Sequence, residues 1–403
     1  METYLIRRML RRLPGVIIKA VPLPHPEVYE GLGQRSRVGE ICRMRQWKSV
    51  LVVTDRTLSG LGYHLPVLEA LEKEGITYRL FADIDSEPTT DIVEAGRLAA
   101  EACHAEAVVA LGGGSVLDSC KMIAAGMRLK KMNVHFLLLK FLFVPRQTLP
   151  LVNIPSTAGT GAELTVGAMI TDTVLKVKSS TVVVGLQVTD VILDSELTLR
   201  APQRVTAACA IDALSHGLEG CVADVKVSEQ DEWKSRECVH LVLESLPKVL
   251  ETPDDPSLRL LLCRAAHYGG NAINKQLAGY VHAFAHSIGA YYHVPHGVAI
   301  AACLMPVMER QKGACTDRLA AAARHCGLAA DTDADAVAAD SLLQAVSNLV
   351  EQCGLSIGNV SVADGDIDRL TRLVARDSIN YSAPVTLKNK EIKEILCHIL
   401  PSR

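Results

Sequence analysis

A chain of 403 residues exceeds what one small hydrophobic core organises, and its length predicts two domains. Hydrophobic residues at 49% and charged residues at 22% exclude a disordered chain, while a net charge of -3 with 4% aromatics excludes a strongly basic or base-stacking surface for nucleic acid. A folded protein that handles a small molecule remains. The twelve cysteines form no C-x-x-C pair, so neither a zinc ribbon nor a disulfide framework is expected. They read as reduced residues of a cytoplasmic protein, and Cys120, Cys209 and Cys221, near the motifs below, read as packing residues.

In chain order, residues 1–20 place arginines and apolar residues at helical spacing without the apolar centre and cleavage site of a secretory signal. A basic amphipathic helix is expected there. The most apolar run, 136–144, is broken by Lys140 and too short for a bilayer, so no transmembrane segment is expected. Lys48 to Asp55 is a β-branched run typical of a strand buried on both faces. A helix near Leu65 to Lys73 and a strand near Thr77 to Ala82 follow. Thr90 and Asp91 are expected to cap a helix whose apolar face carries Ile92, Ala95, Leu98, Ala99 and Ala102.

A third strand, Ala107 to Leu111, runs directly into Gly112-Gly113-Gly114-Ser115. At a strand-to-helix junction glycine lets backbone amides approach a phosphate, and the following helix turns its positive end to the anion. The segment is read as a pyrophosphate cradle, with a tight turn lacking any ligand as the alternative; it matches neither G-x-G-x-x-G nor the Walker sequence. A fourth strand, Leu149 to Ile154, ends in Pro155-Ser-Thr157-Ala-Gly-Thr160-Gly161-Ala-Glu163. A hairpin over 166–184 and a short strand over 191–194 complete this half. Alternating strands and helices imply a parallel sheet, and two glycine-rich loops after two of its strands can face one crevice.

From Ala201 the pattern is helical throughout, which places a boundary near Arg200 between an α/β domain over 1–200 and an all-helical domain over 201–403. Asp212 and His216, four apart, share one helical face. Further on, His282, His286, His293 and His296 fall within fifteen residues. A single histidine usually packs or faces water, but this group together with the Asp212 and His216 pair reads as a metal site. Spacing alone leaves open which of the four bind.

The motifs G-G-G-S-x-x-D, P-[ST]-T-A-G-T-G-x-E, D-A-L-x-H and the H-x-x-x-H with H-G cluster together resemble the iron-containing, group III alcohol dehydrogenases, from about Val53 to the last helices. The resemblance implies a dinucleotide-binding α/β domain with a parallel sheet, then an all-helical metal-binding domain, the architecture shared with dehydroquinate synthase. It places Fe2+ on Asp212, His216, His282 and His296, a set that also accepts Zn2+, and leaves His293 aside. His286 matches a histidine near nicotinamide and substrate, a candidate catalytic proton relay. Gly113, Gly114, Ser115 and Asp118 match the pyrophosphate loop, Thr157 and Thr160 the second loop, and Lys178 a lysine beside the cofactor. Asp55 matches the position facing the adenosine ribose, where a carboxylate accepts from a free 2′-hydroxyl and repels a 2′-phosphate, so NAD is favoured over NADP. Val116, Ser195, the 86–88 segment and the 380–384 segment depart from the family pattern.

The activity implied is a metal-dependent alcohol dehydrogenase that interconverts a small alcohol and its aldehyde or ketone with NAD(H), working as a homo-oligomer, a dimer being common in the family. A zinc polyol enzyme resembling glycerol dehydrogenase is the nearest alternative. A lyase resembling dehydroquinate synthase is disfavoured, because 282–297 holds no lysine or arginine to clamp a phosphate. A non-catalytic sensor or filament subunit is the third reading.

Overall fold

The parallel sheet of the first half grows from runs too apolar to face water. In the computed structural model, which describes residues 21–84, 88–129, 141–144, 147–174, 177–358, 360 and 362–400, its strands are β1 (Glu27–Gly31), β2 (Ser49–Asp55), β3 (Thr77–Ile84), β4 (Ala107–Gly112), β6 (Leu151–Pro155) and β9 (Val188–Asp194). They lie in the order β1-β9-β6-β4-β2-β3, every pair parallel. The expected N-terminal helix at 1–20 and residues 136–140 of the apolar run lie outside the described residues.

Helices cover both faces. Val50 and Val52 of β2 pack with α1 (Val38–Met44) and α3 (Leu65–Lys73), which flank the short α2 (Arg56–Gly60) in sequence. Leu51 and Val53 point the other way, toward α4 (Thr90–Ala102) and α5 (Gly114–Gly126). The alternation is the period of two of a pleated strand, buried on each side. A second, three-stranded sheet pairs β5 (Phe141–Phe143) in parallel with β8 (Val177–Val184), which forms an antiparallel hairpin with β7 (Gly167–Asp172).

Two expectations differ from the structure. The cap of α4 is Thr89, whose hydroxyl accepts from Ile92 N, and the buried face is Thr90, Val93, Gly96, Ala99 and Ala100, with Leu98 52% exposed. Gly96 sets that face: a Cβ there would lie 2.3 Å from Ile123 Cδ1 of α5, so the helices meet where a side chain is missing. The edge strand β1 was not anticipated, since Glu27-Val-Tyr-Glu-Gly31 is largely exposed and carries no apolar alternation.

The second half is helical: α6 (Glu196–Leu199) leads into α7 (Gln203–Val222), α8 (Glu229–Glu251), α9 (Pro256–Gln276), α10 (Tyr280–Tyr292) and α11 (His296–Gln311). Then come α12 (Thr316–His325), α13 (Asp335–Cys353), α14 (Asp366–Asp377) and α15 (Asn389–Ile399). Their shared core draws on residues from Ala210 to Leu400. No helix among the described residues is long and apolar enough to cross a membrane.

The loop after β6 docks on this helical half. Asn274 of α9 accepts from Val166 N at 2.9 Å and donates to Leu164 O at 2.8 Å. Gly161, in the left-handed region at φ 61, lies so close to Gly270 that a Cβ would stand 2.4 Å from its Cα.

Candidate metal and cofactor site

Helix α7 places Asp212 and His216 one turn apart, buried, because its alanines and glycines let neighbouring helices close on it; a Cβ at Gly217 would stand 2.9 Å from Ser235 O of α8. Helix α10 brings His282 to the same place, and His296 opens α11. Asp212 Oδ1 is 3.6 Å from His216 Nε2, 3.6 Å from His282 Nε2 and 3.3 Å from His296 Nε2. The rings of His216 and His282 stack at 4.7 Å. Ligand atoms of Asp212, His282 and His296 lie within 4.8 Å of one another, and His216 joins them through its approach to Asp212.

Three of the four side chains are buried, while that of His296 is 38% exposed and marks the open side. Asp212 Oδ1 and His282 Nε2 are buried and make no hydrogen bond. Unpaired buried polar atoms cost stability, and atoms converging on one point lose that cost when a cation sits among them. One carboxylate and three imidazoles suit a divalent first-row metal, so the residues present fit iron or zinc.

Burial alone would raise the Asp212 carboxyl, yet the histidines that face it, His216 and His296 with His282 beside them, hold it well below the usual carboxylate range. Burial pushes His216 down to about 4. Burial also works against a charge on His282, but Glu219 and Asp212 outweigh it and lift the ring to about 10.

Glu219, to which the sequence motifs assigned no role, lies on the same helix face as Asp212 and His216. Its carboxylate accepts from His282 Nδ1 at 2.6 Å and from the backbone N–H of Gly279 and Val281 at 2.7 Å each. The spacing of three from His216 was its only signal. His286 stands one turn beyond His282, its ring stacked on His296 at 5.1 Å and its Nδ1 2.8 Å from Tyr381 Oη. No local pattern points to Tyr381, 95 residues away. His293 is exposed and caps α10 in the left-handed region at φ 55, apart from the cluster.

The cofactor candidates lie at the carboxyl ends of neighbouring strands. Gly113 precedes α5 and Gly114 and Ser115 begin it; a Cβ on Gly114 would be 3.3 Å from Thr160 Oγ1 and one on Gly113 3.6 Å from Thr157 Cγ2. The two glycine-rich loops thus touch, as adjacent pairing of β4 and β6 requires. Val116, where the family commonly has proline, packs on Gly112. Thr160 Oγ1 accepts from Ala162 N at 3.2 Å. Asp118 is engaged on both oxygens, by Lys121 Nζ and Met169 N at 2.9 Å each, and ties α5 to β7. Asp55 closes β2 and caps α2 through Leu58 N at 2.8 Å. Lys178 lies in β8 opposite Thr171.

Comparison with known proteins covers both halves. The family model described as iron-containing alcohol dehydrogenase matches residues 25–195, and that of the Fe-containing alcohol dehydrogenase family, C-terminal, matches 206–400. The chain is 30% identical over 379 residues to the "Probable alcohol dehydrogenase EutG" of Escherichia coli (strain K12), covering 93% of each. It is 28% identical over 377 residues to the NAD-dependent methanol dehydrogenase of Bacillus methanolicus, covering 92% of this chain and 97% of that one. Among solved structures, a 1,3-propanediol oxidoreductase superposes with a TM-score of 0.87 at 25% identity, over 94% of this chain and 100% of the other. An alcohol dehydrogenase from Oenococcus oeni superposes with a TM-score of 0.85 at 26% identity, over 94% and 99%. With the sheet, the helical half and the histidine-carboxylate cluster in the family's order, the chain belongs to the iron-containing alcohol dehydrogenases.

Proposed function

We propose that this alcohol dehydrogenase interconverts a small alcohol and its aldehyde or ketone with NAD(H), with Fe2+ held by Asp212, His216, His282 and His296. The observation that carries this reading is the convergence of Asp212 Oδ1 and His282 Nε2, both buried and unpaired, with His296. Bound there, a divalent cation supplies Lewis acidity toward a substrate oxygen, and NAD supplies the hydride acceptor. Glu219 holds the His282 ring so that Nε2 faces the cluster. His286 borders the substrate on the side of His296, and the partial exposure of His296 leaves an approach for it.

Gly113, Gly114 and Ser115 offer the start of α5 to the pyrophosphate, Thr157 and Thr160 line the second loop, and Asp118 and Lys178 belong to the same neighbourhood. Asp55 favours NAD through the ribose, in keeping with the NAD-dependent relative. On this reading residues 1–200 bind the dinucleotide and 201–403 the metal. The protein works as a homo-oligomer, a dimer, in the cytoplasm; twelve unpaired cysteines support a reducing compartment.

The test is anaerobic loading with Fe2+ or Zn2+, metal analysis, and turnover of short alcohols and diols with NAD and NADP side by side. Net NADH accumulation with a stoichiometric metal supports the reading and separates it from a lyase that uses NAD transiently. Metal-loaded protein that oxidises no short alcohol or diol with either nucleotide overturns it.

A further inference from the structure

The segment after Asn380 is fastened over the start of α10. Ser382 N donates to Ala278 O at 2.8 Å, and Ser382 Oγ accepts from Asp224 N at 2.9 Å. The Tyr381 ring consequently lies 6.2 Å from the His286 ring, with its hydroxyl 2.8 Å from Nδ1. Among the described residues that nitrogen is the partner the hydroxyl has. Burial pushes the phenol well up, so it keeps its proton. A protonated phenol facing one ring nitrogen donates to it, since its proton is otherwise buried without an acceptor. Nδ1 then accepts, which leaves Nε2 as the ring nitrogen that carries the proton.

We propose that Tyr381 is a positioning residue that locks His286 in the Nε2–H tautomer, so that the ring presents a hydrogen-bond donor to the substrate oxygen beside the metal ligands. The proposal rests on the reading above that His286 borders the substrate. A neutral imidazole polarises a carbonyl as a donor without carrying a charge into the site. The tautomer, set from a remote segment, decides whether the ring donates or accepts there.

Tyr381→Phe keeps the ring and removes the hydroxyl. In full-length, zinc-loaded protein labelled with 15N-histidine, the His286 signals, identified by their loss in His286→Ala, should show a protonated Nε2 and a bare Nδ1. Tyr381→Phe should turn this into a mixture. A protonated Nδ1 in the parent protein, or the same tautomer in both, overturns the proposal.

In kinetics, Tyr381→Phe should lower kcat/KM for the alcohol roughly tenfold, the size of one lost hydrogen bond, with the Kd for NADH unchanged. In the His286→Ala background it should have no further effect, because the hydroxyl acts through that ring. An undiminished loss in that background, or a parallel loss of NADH affinity, overturns the proposal. If His286→Ala alone leaves kcat/KM unchanged, the substrate-site reading of His286 fails and the catalytic part of the proposal with it, while the ring spectra separately decide whether Tyr381 sets the tautomer.

Discussion

Glu219 Oε2 lies 2.6 Å from His282 Nδ1, joining the helix that bears Asp212 and His216 to the helix that bears His282 and His286. The same carboxylate accepts Gly279 N and Val281 N, so it also fixes the entry into α10. One buried side chain therefore orients the ring of His282, a proposed metal ligand, and places the backbone that carries it.

Replacing Glu219 should weaken the metal before it weakens the fold. Glu219→Gln should lower metal affinity by about 10- to 100-fold, the usual cost of losing a partner behind a ligating histidine. Competition with a chelator checks this. Glu219→Ala takes the acceptor from three buried N–H groups, those of Gly279, Val281 and His282 Nδ1, and should in addition cost about 1–3 kcal/mol in denaturant unfolding.

The metal-free protein should have a stability maximum near neutrality. The His282 ring, lifted to about 10 from 6.5, contributes stability that is full below about pH 6.5 and is lost as pH rises through about 10. His216, pushed down to about 4, contributes stability that is present above about pH 6.5 and lost as pH falls through about 4. Unfolding of chelated protein across this range checks both arms. Metal uptake near neutrality should release a proton from His282, read by calorimetry in buffers of different ionisation enthalpy.

Gly161 permits a close approach between the second loop and the helical half. Gly161→Ala meets both a left-handed φ of 61 and a contact of 2.4 Å with Gly270 Cα. A loss of roughly 2–4 kcal/mol in unfolding free energy is expected. Gly313→Ala, with nothing within 4 Å of the new Cβ, should change stability by less than about 0.5 kcal/mol and serves as the control.

Asp55→Asn retains an oxygen to accept Leu58 N and removes the negative charge at the end of β2. With Asp55 at the ribose as proposed, the ratio of kcat/KM for NAD to that for NADP should fall about tenfold, because a charge that repels a 2′-phosphate is removed. An unchanged ratio would place the ribose elsewhere.

What was legible in the chain follows from which forces are local. The strands β2 and β4 could be read because a strand covered on both faces must be apolar along its length, and the glycine loop after β4 because consecutive glycines mark a strand-to-helix turn too tight for side chains, where a Cβ at Gly112 would stand 2.4 Å from Val116 Cγ2. Strand β1 could not, since an edge strand with Glu27, Tyr29 and Glu30 near water has no such pattern. The buried face of α4 was displaced for a similar reason: the packing partner, Ile123, chose Gly96 rather than the larger apolar residues.

By itself the sequence determined the α/β and helical halves, the two glycine-rich loops and the candidate ligands, because each depends on residue type and short spacing. Only the tertiary structure decided that Asp212, His282 and His296 face one point, that Glu219 stands behind His282, and that Tyr381 reaches His286. Glu219 and His282 are 63 residues apart and His286 and Tyr381 are 95 apart, and no helical or strand period extends that far. They are set by how helices pack, down to the glycines that let them close.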